Sequence, residues 1–485
     1  MTKKEISFKH QLIPVLLFLV FIAYGLGLRQ FLFKQESLPI EIIMIISSVV
    51  VSLYVMAFAG IKWEEIQKKI FDTISEALPG IIVLLIIGIT ISALIMSGSM
   101  AMLVVWGVEM IHPKILYLMA FLLPAIFSTF TGTSWGSATI GVVLLGIGQA
   151  IDANLAILGG AIVSGSYFGD KMSPLSDTTN MAAIAAKVNV YDHVQSMIYS
   201  TGPSTVISII FFTIMGFVNP PAVADINDPT VQTLITDLSG MFNFNILLLL
   251  PIIIIFIGSY KKYSSIPVMM IGSIVGFLEA GIFQNFTLDQ ILFSVGRGFN
   301  TGMITWYSII DKSVISILER GGYWELAMLL PITMSILAFV SILGTIDAMP
   351  AVVNKLFGWA ETRSSIIIAT LASAIALIAI TANGIACSFV TCDIFGKKYD
   401  DKGLDRRVLS RTCEDAGTLL EVLFPWTPAA IFFTKTLGMG VGDYLPWSIL
   451  NLTTPIVAIV LAVTGYGCFL NKKDMKVQES KQDNA

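Results

Sequence analysis

Charge is scarce in this sequence. Asp, Glu, Lys and Arg make up 13% of its 485 residues and 55% are hydrophobic, whereas globular domains carry about 25% charged residues. A formal net charge of −4 leaves no basic footprint for nucleic acid. Histidine is rarer still: His10, His112 and His193 stand far apart, which argues against a His-based metal site or a Ser-His triad. The four cysteines, Cys387, Cys392, Cys413 and Cys468, form no CxxC and no metal spacing, so they read as small buried hydrophobes. There is no HExxH and no nucleotide-binding P-loop, which excludes a zincin and an ATPase within this chain. No cofactor is expected.

What the sequence has instead is long apolar runs. The clearest cover about 11–33, 39–61, 78–96, 115–130, 136–150, 154–169, 194–219, 244–259, 266–283, 324–349, 364–383, 406–438 and 443–470. Runs of this length and number are membrane spans. The fold expected is all-α and polytopic, about 10–14 transmembrane segments in one domain over 11–470, with short charged tails at 1–10 and 471–485. The run from Gln11 to Leu28 has no small-residue cleavage site after it, so it reads as a first span and not as a removed signal peptide. Between spans, 62–77 is charged and amphipathic, which predicts a connecting helix at the interface.

The few basic residues are sorted. With the N-terminus inside, 21 of the 29 Lys and Arg fall in the tails and in cytoplasmic loops, against six in the opposite loops. By the positive-inside rule both termini are expected in the cytoplasm.

Two stretches are alike. In the first, an apolar run ends in FSTFTGTSWGS (Phe127–Ser137), then a short helix leads to the interrupted segment GDKMSPLSDTTN (Gly169–Asn180). In the second, a run ends in ITANGIACS (Ile380–Ser388), then a short helix leads to EDAGTLLEVLFPWTP (Glu414–Pro428). The charge pattern puts corresponding ends on opposite sides, which predicts inverted repeats at about 78–219 and 324–470. In such folds broken helices from both repeats build a site near the midplane.

Non-helical backbone at membrane depth must be buried in protein or line a wet cavity. Gly169–Asn180 is dense in oxygen: Asp170, Ser173, Ser176, Asp177, Thr178, Thr179 and Asn180. Hard cations such as sodium favour these ligands. A carboxylate in low dielectric is costly when bare and takes up either a proton or a sodium ion. That competition is the simplest physical form of antiport. Lys171 could neutralise one carboxylate when the ion is absent. In the second stretch Asp415 is favoured for the site, three residues before Thr418, with Glu414 expected to pair with Arg411. Asp177 and Asp415 are the expected sodium ligands, and Glu421 stays unassigned. Thr131, Thr133, Ser134 and Asn383 are candidate hairpin tips. Plainer readings stay open at this point: a solvated loop with a helix cap at 173–180, and an ordinary turn at 131–135. Glu109, Glu279, Asp347 and Asp393 lie near span ends and are expected at the interface.

GDKMSPLSDTTN, with TGTSWGS before it and SRTCEDAGT and FPW after it, resembles the NhaC-type sodium/proton antiporter family, which includes malate–lactate antiporters. The similarity runs over about residues 10–470. It implies re-entrant hairpins with tips at Thr131–Trp135 and Asn383–Gly384, and unwound breaks at 169–180 and 414–418. Sodium and protons would be the partners, in the bilayer of the cell membrane. Where the family leads one to expect small polar residues and an Asn after Pro-Trp, this chain has Leu419, Leu420 and Glu421, then Thr427, Pro428 and Ala429. A small organic acid or an amino acid therefore stays open as a further solute, and a second copy of the chain as a partner. An intramembrane aspartyl hydrolase is disfavoured, because paired catalytic aspartates come from facing elements, whereas Asp170 and Asp177 share one segment.

Overall fold

The computed structural model describes residues 6–29, 32–36, 38–110, 112–174, 176–222, 229–261, 263–308, 313–328 and 330–469. The tail at 471–485 lies outside them. The described residues are predominantly helical, without strands. In chain order the helices of eight or more residues begin with α1 (Phe8–Ile22), α2 (Ile40–Tyr54), α3 (Trp63–Met96), α4 (Ser99–Met110), α5 (Leu116–Thr131), α6 (Ser134–Ala150) and α7 (Leu155–Met172). Next come α8 (Asp177–Ala186), α9 (Val190–Val218), α10 (Pro229–Met241), α11 (Leu250–Tyr260), α12 (Ser265–Phe283), α13 (Leu288–Arg297) and α14 (Leu330–Thr345). The last are α15 (Ala348–Phe357), α16 (Arg363–Thr381), α17 (Gly384–Asp401), α18 (Arg406–Cys413), α19 (Pro428–Leu437) and α20 (Ile449–Thr464).

Among the described residues six helices are long and apolar enough to cross a membrane, and nine spans result if three bent pairs count as one each. The bends are 69° between α3 and α4, 96° between α10 and the helical turn leading into α11, and 53° before α20. The remaining apolar segments are the shorter helices α5 and α6. This is a polytopic membrane protein. The segment 62–77 is not a separate connecting helix: it continues without interruption into 78–96 as one helix of 34 residues. Such a helix is about 51 Å long and the hydrocarbon core about 30 Å thick, so its charged first half extends past the membrane. The interfacial expectation also fails for Glu279, which is 4% exposed on α12; Glu109, Asp347 and Asp393 are exposed.

Two parts of the chain share one order of elements. α5 ends in a left-handed Gly132 and, one residue later, α6 begins. α16 likewise ends in a left-handed Ala382, and after Asn383 comes α17. Each tight turn precedes an interrupted helix: α7 and α8 in the first part, α18 and α19 in the second. A long helix closes each part, α9 and α20. The two parts interlock, because α8 packs on α17 and α18 while α9 packs on α18 and α20.

Small residues set the closest approach. A Cβ at Gly165 would stand 2.1 Å from the Phe121 carbonyl oxygen, and one at Gly169 2.3 Å from the Thr129 amide. These two glycines, one turn apart on α7, let the backbones of α5 and α7 touch. Gly165→Ala is expected to push the helices apart and destabilise the fold by about 1–3 kcal/mol. Gly442→Ala, where nothing lies within 4 Å, is the control. Thermal unfolding in detergent reads the difference, and equal melting of the two variants would refute the contact.

Candidate functional site

Pro174 makes the first break. It supplies no N–H, and it disfavours helical backbone in the residue before it. Ser173 is accordingly extended at φ −87° and ψ 124°, and α8 starts only at Asp177. The interruption is thus narrower than 169–180. Asp170 and Lys171 lie on the last turn of α7, and Asp177 opens a different helix. Side chains of α8 satisfy the carbonyls that the break frees. The Thr179 hydroxyl donates to the Asp170 and Lys171 carbonyls at 3.2 and 3.1 Å. Asn180 donates from Nδ2 to the Pro174 and Ser176 carbonyls, both at 2.8 Å.

The second break differs from expectation. Glu414–Thr418 is not unwound but forms a π-helical turn, entirely buried. The chain leaves helical geometry after Glu421 and resumes at Pro428, because Pro425 and Pro428 withdraw two N–H donors in this stretch. Thr427 caps α19 by accepting from the Ala430 amide at 3.1 Å.

Around these breaks stands a buried polar cluster. The Lys171 ammonium is ion-paired and hydrogen-bonded with Asp415 Oδ1, both side chains at most 2% exposed. Ser200 of α9 donates to the same oxygen at 2.7 Å. Arg411 Nε is 4.0 Å from Asp415 Oδ2, and Arg411 Nη1 donates to the Ser196 and Gly467 carbonyls at 3.3 and 3.0 Å. The expected pairing of Glu414 with Arg411 is absent. Glu414 Oε2 accepts instead from the Thr418 hydroxyl at 2.9 Å. Glu414, four residues before Thr418, shares a helix face with it, while Asp415 meets Lys171 and Ser200.

Asp170 Oδ1 accepts from the Ser176 hydroxyl at 2.6 Å, and Ser176 lies 2.9 Å from the Thr178 hydroxyl. Asp170 is within electrostatic reach of Glu414 and Glu421. Tyr167 lies within the same reach of Asp170 and Glu421, with Ser134 beside it. The second tight turn meets this group directly: a Cβ at Gly384 would stand 2.6 Å from Thr418 Cγ2 and 3.1 Å from Glu421 Oε2. Asn383 caps α17 by accepting from the Ala386 amide at 2.9 Å. Ser173 and Ser134 are buried and Thr133 is half-buried. The side chains of Asp177 and Thr131 lie outside the described residues.

Of the candidates, Asp170, Asp415, Thr418, Ser134 and Asn383 thus stand in or beside one cluster, while Thr179 and Asn180 hold the break together. Sequence reasoning missed Tyr167 and Ser200, and it gave Arg411 only a pairing with Glu414. Ser196, Ser200 and Ser204, spaced by four and buried, are a helical-face signal within an otherwise apolar α9. Among the described residues no three His, Cys, Asp or Glu side chains converge to hold a metal ion. A sodium ion here would be cargo and not a resident cofactor.

The charge balance is uneven. Asp170, Glu414, Asp415 and Glu421 face Lys171 and Arg411, a surplus of two carboxylates. Among the described residues neither Glu414 nor Glu421 has a cation within ion-pair distance. Buried surplus charge must be met by a bound cation or by protons.

The family model described as the Na+/H+ antiporter family matches residues 165–466, which include both breaks and the second tight turn. The chain belongs to the Na+/H+ antiporter family. Among its relatives, an uncharacterised Na+/H+ antiporter of Haemophilus influenzae is 35% identical over 95% of this chain and 96% of its own length. The Na+/H+ antiporter NhaC of Alkalihalophilus pseudofirmus is 31% identical over 86% of this chain and 90% of its own length. A malate-2H+/Na+-lactate antiporter of Bacillus subtilis is 31% identical over 92% of this chain and 93% of its own length. These family members are transporters by name, and no enzyme is among them.

Proposed function

We propose that this chain is a secondary antiporter exchanging sodium ions for protons across the cell membrane, with both termini cytoplasmic. The observation that carries the reading is the excess of carboxylates over cations at the crossing of two broken helices, with Glu414 and Asp415 buried and Asp170 and Glu421 half-buried. Sodium is taken by Glu414 and Glu421 with the Thr418 hydroxyl, a hard-oxygen set. Ser173, Thr178 and the carbonyls of the first break complete it from the other repeat.

Lys171 supplies the coupling. While Asp415 is ionised, the ammonium is held by it. A proton on Asp415 releases that charge beside Glu414, which lies within electrostatic reach of Lys171. Sodium is then repelled. Loss of the proton recaptures Lys171 and restores the cation site. One site thus holds sodium or the proton, not both, and each ion's gradient drives the other. The inverted-repeat relation of the two parts supports exposure of this site to either side in turn, and the distribution of Lys and Arg supports the orientation.

A second reading has its own observation. A cavity of about 880 Å3 is walled by Arg297, Arg320, Glu319, Glu325, Phe293 and Trp324 among others. Two arginines and aromatic walls suit a small carboxylate, as in exchange of organic acids coupled to sodium and protons. Everted vesicles separate the two. Sodium chloride alone should dissipate a pre-formed pH gradient; dissipation only after malate or lactate is added would favour the second reading.

A further inference from the structure

The cavity of about 880 Å3 opens where the end of α13 meets the chain at 319–325. Backbone hydrogen bonds hold this stretch in place: the Phe299 amide donates to the Arg320 carbonyl at 3.3 Å, and the Gly322 amide to the Gly88 carbonyl of α3 at 2.7 Å. Among the described residues, none that lines the cavity belongs to the buried cluster. Arg320 nevertheless joins it to the second broken helix, since Nη1 donates at 3.3 Å to the Thr436 carbonyl on the last turn of α19.

The charges of the cavity cancel, Arg297 and Arg320 standing against Glu319 and Glu325. Each carboxylate is anchored through one oxygen. Glu319 Oε1 accepts from the Thr301 amide at 3.0 Å and from its hydroxyl at 2.5 Å, and Glu325 Oε2 accepts from the Gly321 amide. Among the described residues the other oxygen of each takes no hydrogen bond. The Arg297 guanidinium lies over the Phe293 ring, 4.9 Å from its centroid, and makes no ion pair among the described residues. A solute with two carboxylates would bring one of them against the glutamates, and a lone ammonium would meet the arginines; like charges set face to face are what exclude wrong partners. An amino acid carries one charge of each sign on a single carbon and none in sum. Its carboxylate suits a guanidinium fork, and its ammonium has three N–H donors for carboxylate oxygens. Phe293, Trp324, Met303 and Met328 offer an apolar wall to its side chain.

We propose that this cavity takes a free amino acid with an apolar side chain, bound as its zwitterion, with the carboxylate on Arg297 and Arg320 and the ammonium on Glu319 and Glu325. This rests on the second reading above, in which the cavity is a solute site, and it names the class of solute.

Calorimetric titration of the purified full-length protein in detergent tests it. L-leucine should bind saturably at micromolar to millimolar concentration. Isocaproate, which is leucine without its ammonium, and isoamylamine, which lacks the carboxylate, should each bind at least about tenfold more weakly, the loss of a charge-assisted hydrogen bond. Arg297→Gln and Glu325→Gln should each weaken leucine by a similar factor. Arg297 is exposed and Glu325→Gln keeps an oxygen for the Gly321 amide, so both variants are expected to fold. Leucine binding no tighter than that of its two analogues, or unchanged in both variants, would overturn the proposal. So would malate binding in its place, which leaves the second reading standing. If neither leucine nor malate binds, that reading falls as well.

Discussion

Lys171→Met is expected to destabilise the protein by about 3–5 kcal/mol, because it leaves Asp415 ionised and uncompensated in a fully buried site. Asp415 keeps Ser200 at 2.7 Å and Arg411 at 4.0 Å, and neither replaces an ammonium in contact. Removing both charges should undo most of the damage. The double variant Lys171→Met with Asp415→Asn is therefore expected to melt close to wild type while transporting nothing. Thermal unfolding of the four proteins in detergent gives the coupling energy of the pair. If the single variant is as stable as wild type, or the double variant no better than the single, the pair does not have the role given to it.

Glu414→Gln is expected to abolish sodium-coupled proton flux with little change in stability. The amide oxygen still accepts from Thr418, whose hydroxyl is 2.9 Å from Glu414 Oε2, so shape and hydrogen bonding survive. What disappears is one of the two surplus carboxylates, and with it the charge that draws sodium. Residual flux above about a tenth of wild type, a loss of less than about 1.4 kcal/mol, would mean that Glu414 is not a sodium ligand. Asp415→Asn is expected to fail differently, leaving Lys171 without its partner and sodium permanently repelled.

Much of this was legible in the residues, because helix breakers are local. Pro174 announced the first interruption; the second was expected at 414–418, whereas the chain leaves helical geometry at 422–427, beside Pro425 and Pro428. The apolar runs and the sorting of Lys and Arg did not depend on tertiary contacts. What depends on geometry was misread. Residues three and four back from Thr418 both lie on its helix face, so the count could not choose between Asp415 and Glu414; the contacts with Lys171 and Thr418 do. The charged stretch at 62–77 looked separate because its composition changes near residue 78, yet backbone hydrogen bonding continues through it. Lys171 was visible as a counter-charge, but its choice of Asp415 over Asp170 follows from how α7 meets α18.

The central claim is that sodium and protons exchange at this cluster without a third solute. Purified protein in proteoliposomes, with sodium, proton and organic acid gradients set independently, tests it most directly. An inward or outward sodium gradient alone should drive proton movement in the opposite direction, and Glu414→Gln should remove it. Proton movement that requires malate, lactate or an amino acid, or that persists unchanged in Glu414→Gln, would contradict the account.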